Sequence, residues 1–202
     1  MDAWVNEKNA STLIGIDPGS SHMGIAIFYI DPTTYEIIRT ISFSVDAKGT
    51  IYYNRPLADT LGERYARIDS MVKALEEILE EYKPFMVACE TPYFNRFTPG
   101  AFSVLTETCF EIRKTVYRYL TQCPFLGVKP VLAKKAVKAS GHAKKDVMYT
   151  KVSEMKDTLR FHGDLSILDE HAIDALAIGY YAYLHLCNTR KSVLTYYQEL
   201  KG

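Results

Sequence analysis

No apolar run in this chain of 202 residues approaches the ~18 residues that a membrane-spanning helix needs, so no transmembrane segment is expected. The four cysteines, Cys89, Cys109, Cys123 and Cys187, include no Cys-x-x-Cys pair and lie in apolar stretches. That spacing argues against a zinc site or a disulfide framework and predicts buried, reduced thiols. The first residues lack the basic start and apolar core of a secretory signal, which makes the cytoplasm the expected location. Repeats, low-complexity stretches and composition breaks are also missing. A single domain is expected over residues 12–190, with a short extension at 1–11 and a tail at 191–202. Nor is there any excess of charge: 24 basic residues face 24 acidic ones, a balance that argues mildly against nucleic acid until the charge is located.

It is not spread evenly. Between residues 127 and 160 nine basic residues stand against three acidic ones, a net of +6, and the remainder of the chain carries −6. The basic residues include Lys134, Lys138, Lys144 and Lys145. Read alone, such a stretch is either a solvated helical face or a surface for phosphates.

Short β-patterned segments at 12–18, 23–30 and 36–45, joined by turns such as Asp31-Pro32-Thr33-Thr34, predict an antiparallel meander. Residues 46–60 read as a loop. Apolar residues from Leu61 to Tyr82 recur at helical spacing before Pro84, and a strand over 85–90 follows. A second long helix is predicted at 101–120, a short strand at 124–129, and a helix opening at Pro130. Gly141 breaks the pattern before another helix, and a last one runs from about Ser166 to Cys187. Its Ala172, Ala175, Ala177 and Gly179 permit close approach to a sheet. The fold class is therefore α/β, a mixed five-stranded sheet flanked by helices. Right-handed crossovers would bring the ends of the first and fourth strands side by side, making Asp17 and Glu90 neighbours.

Those two residues and a third point carry the chemistry. Asp17 closes the run Leu13-Ile14-Gly15-Ile16 ahead of Pro18-Gly19-Ser20, Glu90 closes Phe85-Met86-Val87-Ala88-Cys89, and Asp174 lies three residues after His171. Alone, Asp17 is either a turn former or a ligand. Glu90, at the end of a buried strand, needs a partner for its charge. His171 and Asp174 share one helix face, which is either capped and solvated or turned inward. Carboxylates gathered within a few ångström repel and resist ionisation, so a cluster of this kind is built for a cation. Oxygen ligands favour magnesium, and a pair of ions ~4 Å apart can activate water on one side of a phosphodiester and stabilise the leaving oxygen on the other. The histidine adds tolerance for manganese.

At these residues the chain resembles the RuvC family of Holliday-junction resolvases, which have the ribonuclease H fold. The likeness rests on Gly15-Ile16-Asp17-Pro18-Gly19-Ser20, on Glu90 with an aromatic three residues later, and on His171-Ala172-Ile173-Asp174-Ala175-Leu176-Ala177. The resemblance implies that Asp17, Glu90, His171 and Asp174 hold two Mg2+ ions, with Mn2+ tolerated, in a homodimer that nicks opposed strands of four-way DNA junctions. It further implies that Lys134 and Lys145, with Lys138 and Lys144 beside them, meet junction phosphates, through Pro130-Val131-Leu132-Ala133-Lys134 and Gly141-His142-Ala143-Lys144-Lys145. Tyr93 matches an aromatic at the junction centre, where a packed tyrosine is the alternative. The family's usual asparagine in the loop after the glutamate has no counterpart at Phe97.

Other readings stay open. A less selective nuclease of this fold would act on forks, flaps or RNA–DNA hybrids. An actin- or sugar-kinase-like ATPase also begins with a Gly-Ile-Asp-x-Gly-Ser/Thr turn, although it needs two such lobes. The helices at 61–83 and 101–120 are candidate dimer surfaces. A bacterial, phage or organellar source fits, and no helicase partner is named by the residues.

Overall fold

The structure, a computed structural model, describes residues 9–94 and 99–199, the side chains of Pro99 and of 191–199 excepted. Five strands form one sheet: β1 (Ser11–Pro18), β2 (His22–Ile30), β3 (Ile37–Asp46), β4 (Met86–Glu90) and β5 (Phe125–Val128). Their order is β3-β2-β1-β4-β5, antiparallel through the first three and parallel from β1 through β4 to β5. The expected meander and mixed sheet are both present.

The helices are α1 (Arg55–Leu61), α2 (Glu63–Tyr82), α3 (Pro99–Tyr119), α4 (Pro130–Ala136), α5 (Lys145–Glu154) and α6 (Glu170–Glu199). Three features differ from the sequence pattern. The segment 46–60 is not all loop, because Asn54 accepts a hydrogen bond from Leu57 N and Pro56 enters the first turn, which together start α1. The last helix begins at Glu170 and not near Ser166, since Leu165–Ile167 forms one 3-10 turn and Asp169 caps the helix through Ala172 N at 2.9 Å. It continues past Cys187 to Glu199 because neither glycine nor proline interrupts it there.

Central strands buried on both faces read as near-continuous apolar runs, and period two decides which side chain goes where. Leu13, Ala26, Phe28, Ala88 and Val128 pack with α4, α5 and α6. Ile14, Ile16, Ile25, Ile27, Val87 and Cys89 pack with Met71, Leu75 and Leu79 of α2 and with Ile112 and Val116 of α3. Asp17 has the parity of Leu13, and Glu90 that of Ala88, so both carboxylates leave the sheet on the α6 face.

α6 lies almost on the sheet backbone. A Cβ at Gly15 would stand 2.5 Å from Gly179 N, one at Gly24 only 2.0 Å from His171 O, and one at Gly179 would strike the Phe28 ring at 2.3 Å. The small residues of α6 therefore allow the approach, and glycines across from them complete it. Only Cys89 is fully buried; Cys109, Cys123 and Cys187 are half-buried free thiols, so the expectation of four buried thiols holds for one. Among the described residues no helix is long and apolar enough to cross a membrane.

Gly15→Ala should destabilise by about 1–3 kcal/mol, because α6 must back away from β1. Gly100→Ala, whose Cβ would meet nothing within 4 Å on α3, should be neutral or stabilising by about 0.5–1 kcal/mol. Urea midpoints of the two variants separate close packing from helix propensity.

Candidate active site

Parallel pairing of β1 with β4 sets Ile16 beside Cys89, so the next residues, Asp17 and Glu90, end adjacent strands at one edge of the sheet. The first turns of α6 overhang that edge. His171 Nδ1 lies 2.6 Å from Asp17 Oδ2, with both side chains largely shielded from solvent. Asp174 follows one turn later on the same face. Four residues from three distant segments therefore converge on one edge of the sheet, two of them, Asp17 and His171, in direct contact.

The acids there act on one another through their charges. Burial, then the charges of Asp17 and Asp174, push the Glu90 carboxyl up to about 8. Burial, then Asp17, pushes Asp174 up to about 7. The Lys134 ammonium opposes both shifts. His171 moves up as well, chiefly through its hydrogen bond to Asp17. Among the described residues no hydrogen bond or ion pair to the carboxyl group of Glu90 or of Asp174 is found. Ionised together they are unstable alone, which is the property of a cation site.

Among the described residues no three His, Cys, Asp or Glu side chains are gathered as a metal cage. The set is a His171–Asp17 pair with two further carboxylates in its field. Its donor chemistry nonetheless fits a hard divalent ion, with three carboxylates, one imidazole and no thiolate on that face.

The lysines fall into two groups. Lys134, on α4, turns inward: its Nζ donates to Ala143 O at 2.8 Å and its charge reaches Glu90 and Asp174. Lys138, in the turn after α4, and Lys144, at the N-cap of α5, are exposed. Lys145, the first residue of α5, is ion-paired with Glu170. Lys145, Tyr149, Glu170 and Asp174 line part of a pocket of about 190 Å³. Tyr93 is 73% exposed and is not packed into the core. Phe97 lies outside the described residues.

Three neighbours had not been singled out from the sequence. His22 stacks on His171, with ring centroids 5.8 Å apart, and approaches Asp46 at 3.9 Å. Asp169 caps α6 and also accepts from the Ser44 hydroxyl, which ties the helix start to β3. Glu170 holds Lys145 and stands 3.9 Å from His171 Nε2. Signals existed for two: His22 shares the parity of Gly24, and an aspartate just ahead of an apolar-periodic run is an N-cap signature.

No protein-family profile matches the chain. The crossover junction endodeoxyribonuclease RuvC of Brachyspira hyodysenteriae is 29% identical over 168 residues, spanning 82% of this chain and 89% of the relative. That of Rickettsia conorii is also 29% identical, over 83% of this chain and 94% of its own. Thermus thermophilus RuvC superposes with a TM-score of 0.60 at 22% identity, over 88% of this chain and 97% of that structure. The yeast mitochondrial Holliday junction resolvase gives 0.54 at 11% identity, over 91% of this chain and 86% of that one. The chain resembles RuvC proteins over most of its length, and its fold is the ribonuclease H-like one expected from the motifs.

The raised carboxyls make stability depend on pH in a definite sense. Glu90 and Asp174 hold their protons in the folded state to about 8 and about 7, whereas the unfolded chain releases them near the ordinary carboxylate range. Their contribution is full at low pH and disappears as pH rises through those values. Without divalent metal, the melting temperature should decline from pH 5 to pH 8, less steeply in Glu90→Gln. Mg2+ should raise it more at pH 8 than at pH 5. Parallel pH profiles for wild type and variant would remove the carboxyls from the account.

Proposed function

We propose that this chain is a structure-selective DNA endonuclease that resolves four-way junctions by paired nicks across a homodimer. The observation that carries the reading is the meeting of Asp17, Glu90, His171 and Asp174 at one sheet edge, in a chain that resembles RuvC endonucleases over four-fifths of its length. Mg2+ is the proposed metal, with Mn2+ able to replace it. Asp17, Glu90, Asp174 and His171 would hold it, and bound there it supplies a Lewis acid for the scissile phosphate and an activated water.

The protein's own groups have separable tasks. Asp17, shared between His171 and the other carboxylates, orients the set. The His171–Asp17 pair fixes the imidazole by Nδ1 and leaves Nε2 3.9 Å from Glu170. Lys134 limits the repulsion among the acids and offers positive charge where a phosphate would come to rest. Lys145, paired with Glu170 beside the site, and the exposed Lys138 and Lys144 suit the duplex arms. Binding a phosphate there requires Lys145 to leave Glu170. Tyr93, exposed three residues after Glu90, suits stacking on an unpaired base at the crossover.

A two-fold substrate calls for a two-fold enzyme. The outer surfaces of α2 and α3 carry exposed Tyr65, Phe110 and Tyr117, the last two seven residues apart on one helix face, and this is the proposed dimer surface. Incubation with labelled four-way, forked, flapped, RNA–DNA hybrid and linear duplex substrates, with and without Mg2+, tests the reading. Paired nicks confined to the four-way junction and dependent on metal are expected. Equal cutting of forks, flaps or hybrids would indicate a broader nuclease, and ATP hydrolysis without nicking would indicate an ATPase lobe.

Asp17→Asn, Glu90→Gln and Asp174→Asn should each abolish nicking while leaving junction affinity within a few-fold, because they remove metal ligands and not phosphate contacts. His171→Asp should keep measurable activity, since carboxylate and imidazole can occupy the same coordination position. Gel shifts and single-turnover cleavage on one junction separate the two effects.

Lys144→Ala and Lys145→Ala should each weaken junction binding and flatten its salt dependence by about one counterion. Lys134→Ala should reduce the single-turnover rate more than the affinity, since its ammonium already faces the carboxylates. A log–log salt titration of all three variants would show the difference, and identical slopes to wild type would make Lys144 and Lys145 solvated surface residues.

A further inference from the structure

Behind Glu90 lies a second cluster that the cleavage chemistry does not use. Cys89 immediately precedes Glu90 on β4, and by alternation its side chain leaves the opposite face of the sheet, toward α3. There it meets Cys109. Both sulfurs reach the same atom, the main-chain oxygen of Glu90, Cys89 Sγ at 3.5 Å and Cys109 Sγ at 3.4 Å. The two thiols also interact directly with each other. Cys89 is 1% exposed and Cys109 half-buried, so Cys109 is the sulfur of the pair that a small solute meets first. The other cysteines have different neighbours: Cys123 Sγ lies 3.4 Å from Pro84 O, and Cys187 interacts with Tyr183.

We propose that Cys89 and Cys109 are a modification site, a dithiol that a hydroperoxide converts to a disulfide, and that this bond switches off the carboxylate site on the other side of β4. The Cys109 sulfur attacks one peroxide oxygen and the O–O bond breaks. With hydrogen peroxide this leaves a sulfenic acid and one water. The Cys89 sulfur then attacks the sulfenic sulfur, the S–S bond forms, the S–O bond breaks, and the departing hydroxide takes the thiol proton as a second water. Two electrons pass from the thiols to the peroxide, and both thiol protons end in water.

The bond acts on Glu90 through its backbone. Two sulfurs that now share a carbonyl must close to ~2.05 Å, and their S–H donors to Glu90 O are lost. The end of β4 is drawn toward α3, away from α6. Glu90 then moves relative to Asp17 and Asp174, and a displacement of about 1 Å is enough to lower catalysis on the order of 10²-fold. The loss of cleavage rests on the nuclease reading above; the disulfide itself does not.

The full-length reduced protein treated with hydrogen peroxide tests both parts. Intact mass should fall by two hydrogens, a peptide map should join Cys89 to Cys109, nicking of a four-way junction should fall about 10²-fold, and dithiothreitol should restore it. Cys109→Ser, whose hydroxyl can still donate to Glu90 O, should nick before peroxide and go on nicking after it. A variant with Cys123→Ser and Cys187→Ser should respond as wild type does. Peroxide-treated protein with Cys89 and Cys109 unlinked, or a linked protein that nicks as fast as the reduced one, would overturn the proposal. Should the reduced protein nick no junction, the nuclease reading falls, while the linked or unlinked peptide still decides the dithiol site.

Discussion

The active edge depends on how near α6 comes to β1 and β2. At Gly15 and Gly24 the contact is backbone against backbone, with hypothetical Cβ atoms falling 2.5 Å from Gly179 N and 2.0 Å from His171 O. Long side chains at such a crossing could yield by changing rotamer, whereas backbone cannot. The height and rotation of the helix are consequently set by the sheet. With 3.6 residues per turn, that one rotation buries Ala175, Ile178 and Ala182 and turns His171 and Asp174 toward Asp17. Asp169 secures the end of the helix by capping Ala172 N and taking the Ser44 hydroxyl from β3. Core packing and site geometry are one constraint here.

That geometry has an electrostatic consequence. Driving Asp174 against the ends of β1 and β4 removes water from a place that already holds Asp17 and Glu90. Two of the three carboxyls then hold protons well above the carboxylate range, to about 8 and about 7. Lys134 and the His171–Asp17 hydrogen bond relieve part of the repulsion, but one ammonium and one imidazole do not neutralise three acids. Such an edge is most stable either protonated or closed on a cation. Reactivity and instability have the same origin, because the groups that would grip a metal are those that fit poorly without one.

Much of this was legible in one dimension. The apolar runs ending at Asp17 and Glu90, each with a turn or loop behind it, marked strand tips, and the parallel placement of β1 and β4 followed from the helix between them. The three-residue spacing of His171 and Asp174 marked a shared face. Other features depended on contacts that no local pattern encodes. Lys134 belongs by sequence to a basic stretch with Lys138, Lys144 and Lys145, yet it alone turns inward, because Ala143 O receives its ammonium across the following turn. The start of α6 shifted from Ser166 to Glu170 because the cap is Asp169, and the thiols at Cys109, Cys123 and Cys187 proved half-buried because amphipathic helix and loop positions expose part of what an apolar context suggests is hidden.

The sequence by itself determined the order and type of the strands and of the long helices, the residues at the strand tips, and the face on which each strand residue lies, because these follow from hydrophobic periodicity and from the alternation of side chains. Tertiary structure alone decided that His171 would bond Asp17 through Nδ1, that His22 would stack beside it, and that Cys89 and Cys109 would share the carbonyl of Glu90 from the opposite side. Those outcomes need residues up to 154 positions apart to be brought within a few ångström. Periodicity reaches a few turns of helix or one strand; only the packing of α6 and α3 on opposite faces of the sheet spans that separation.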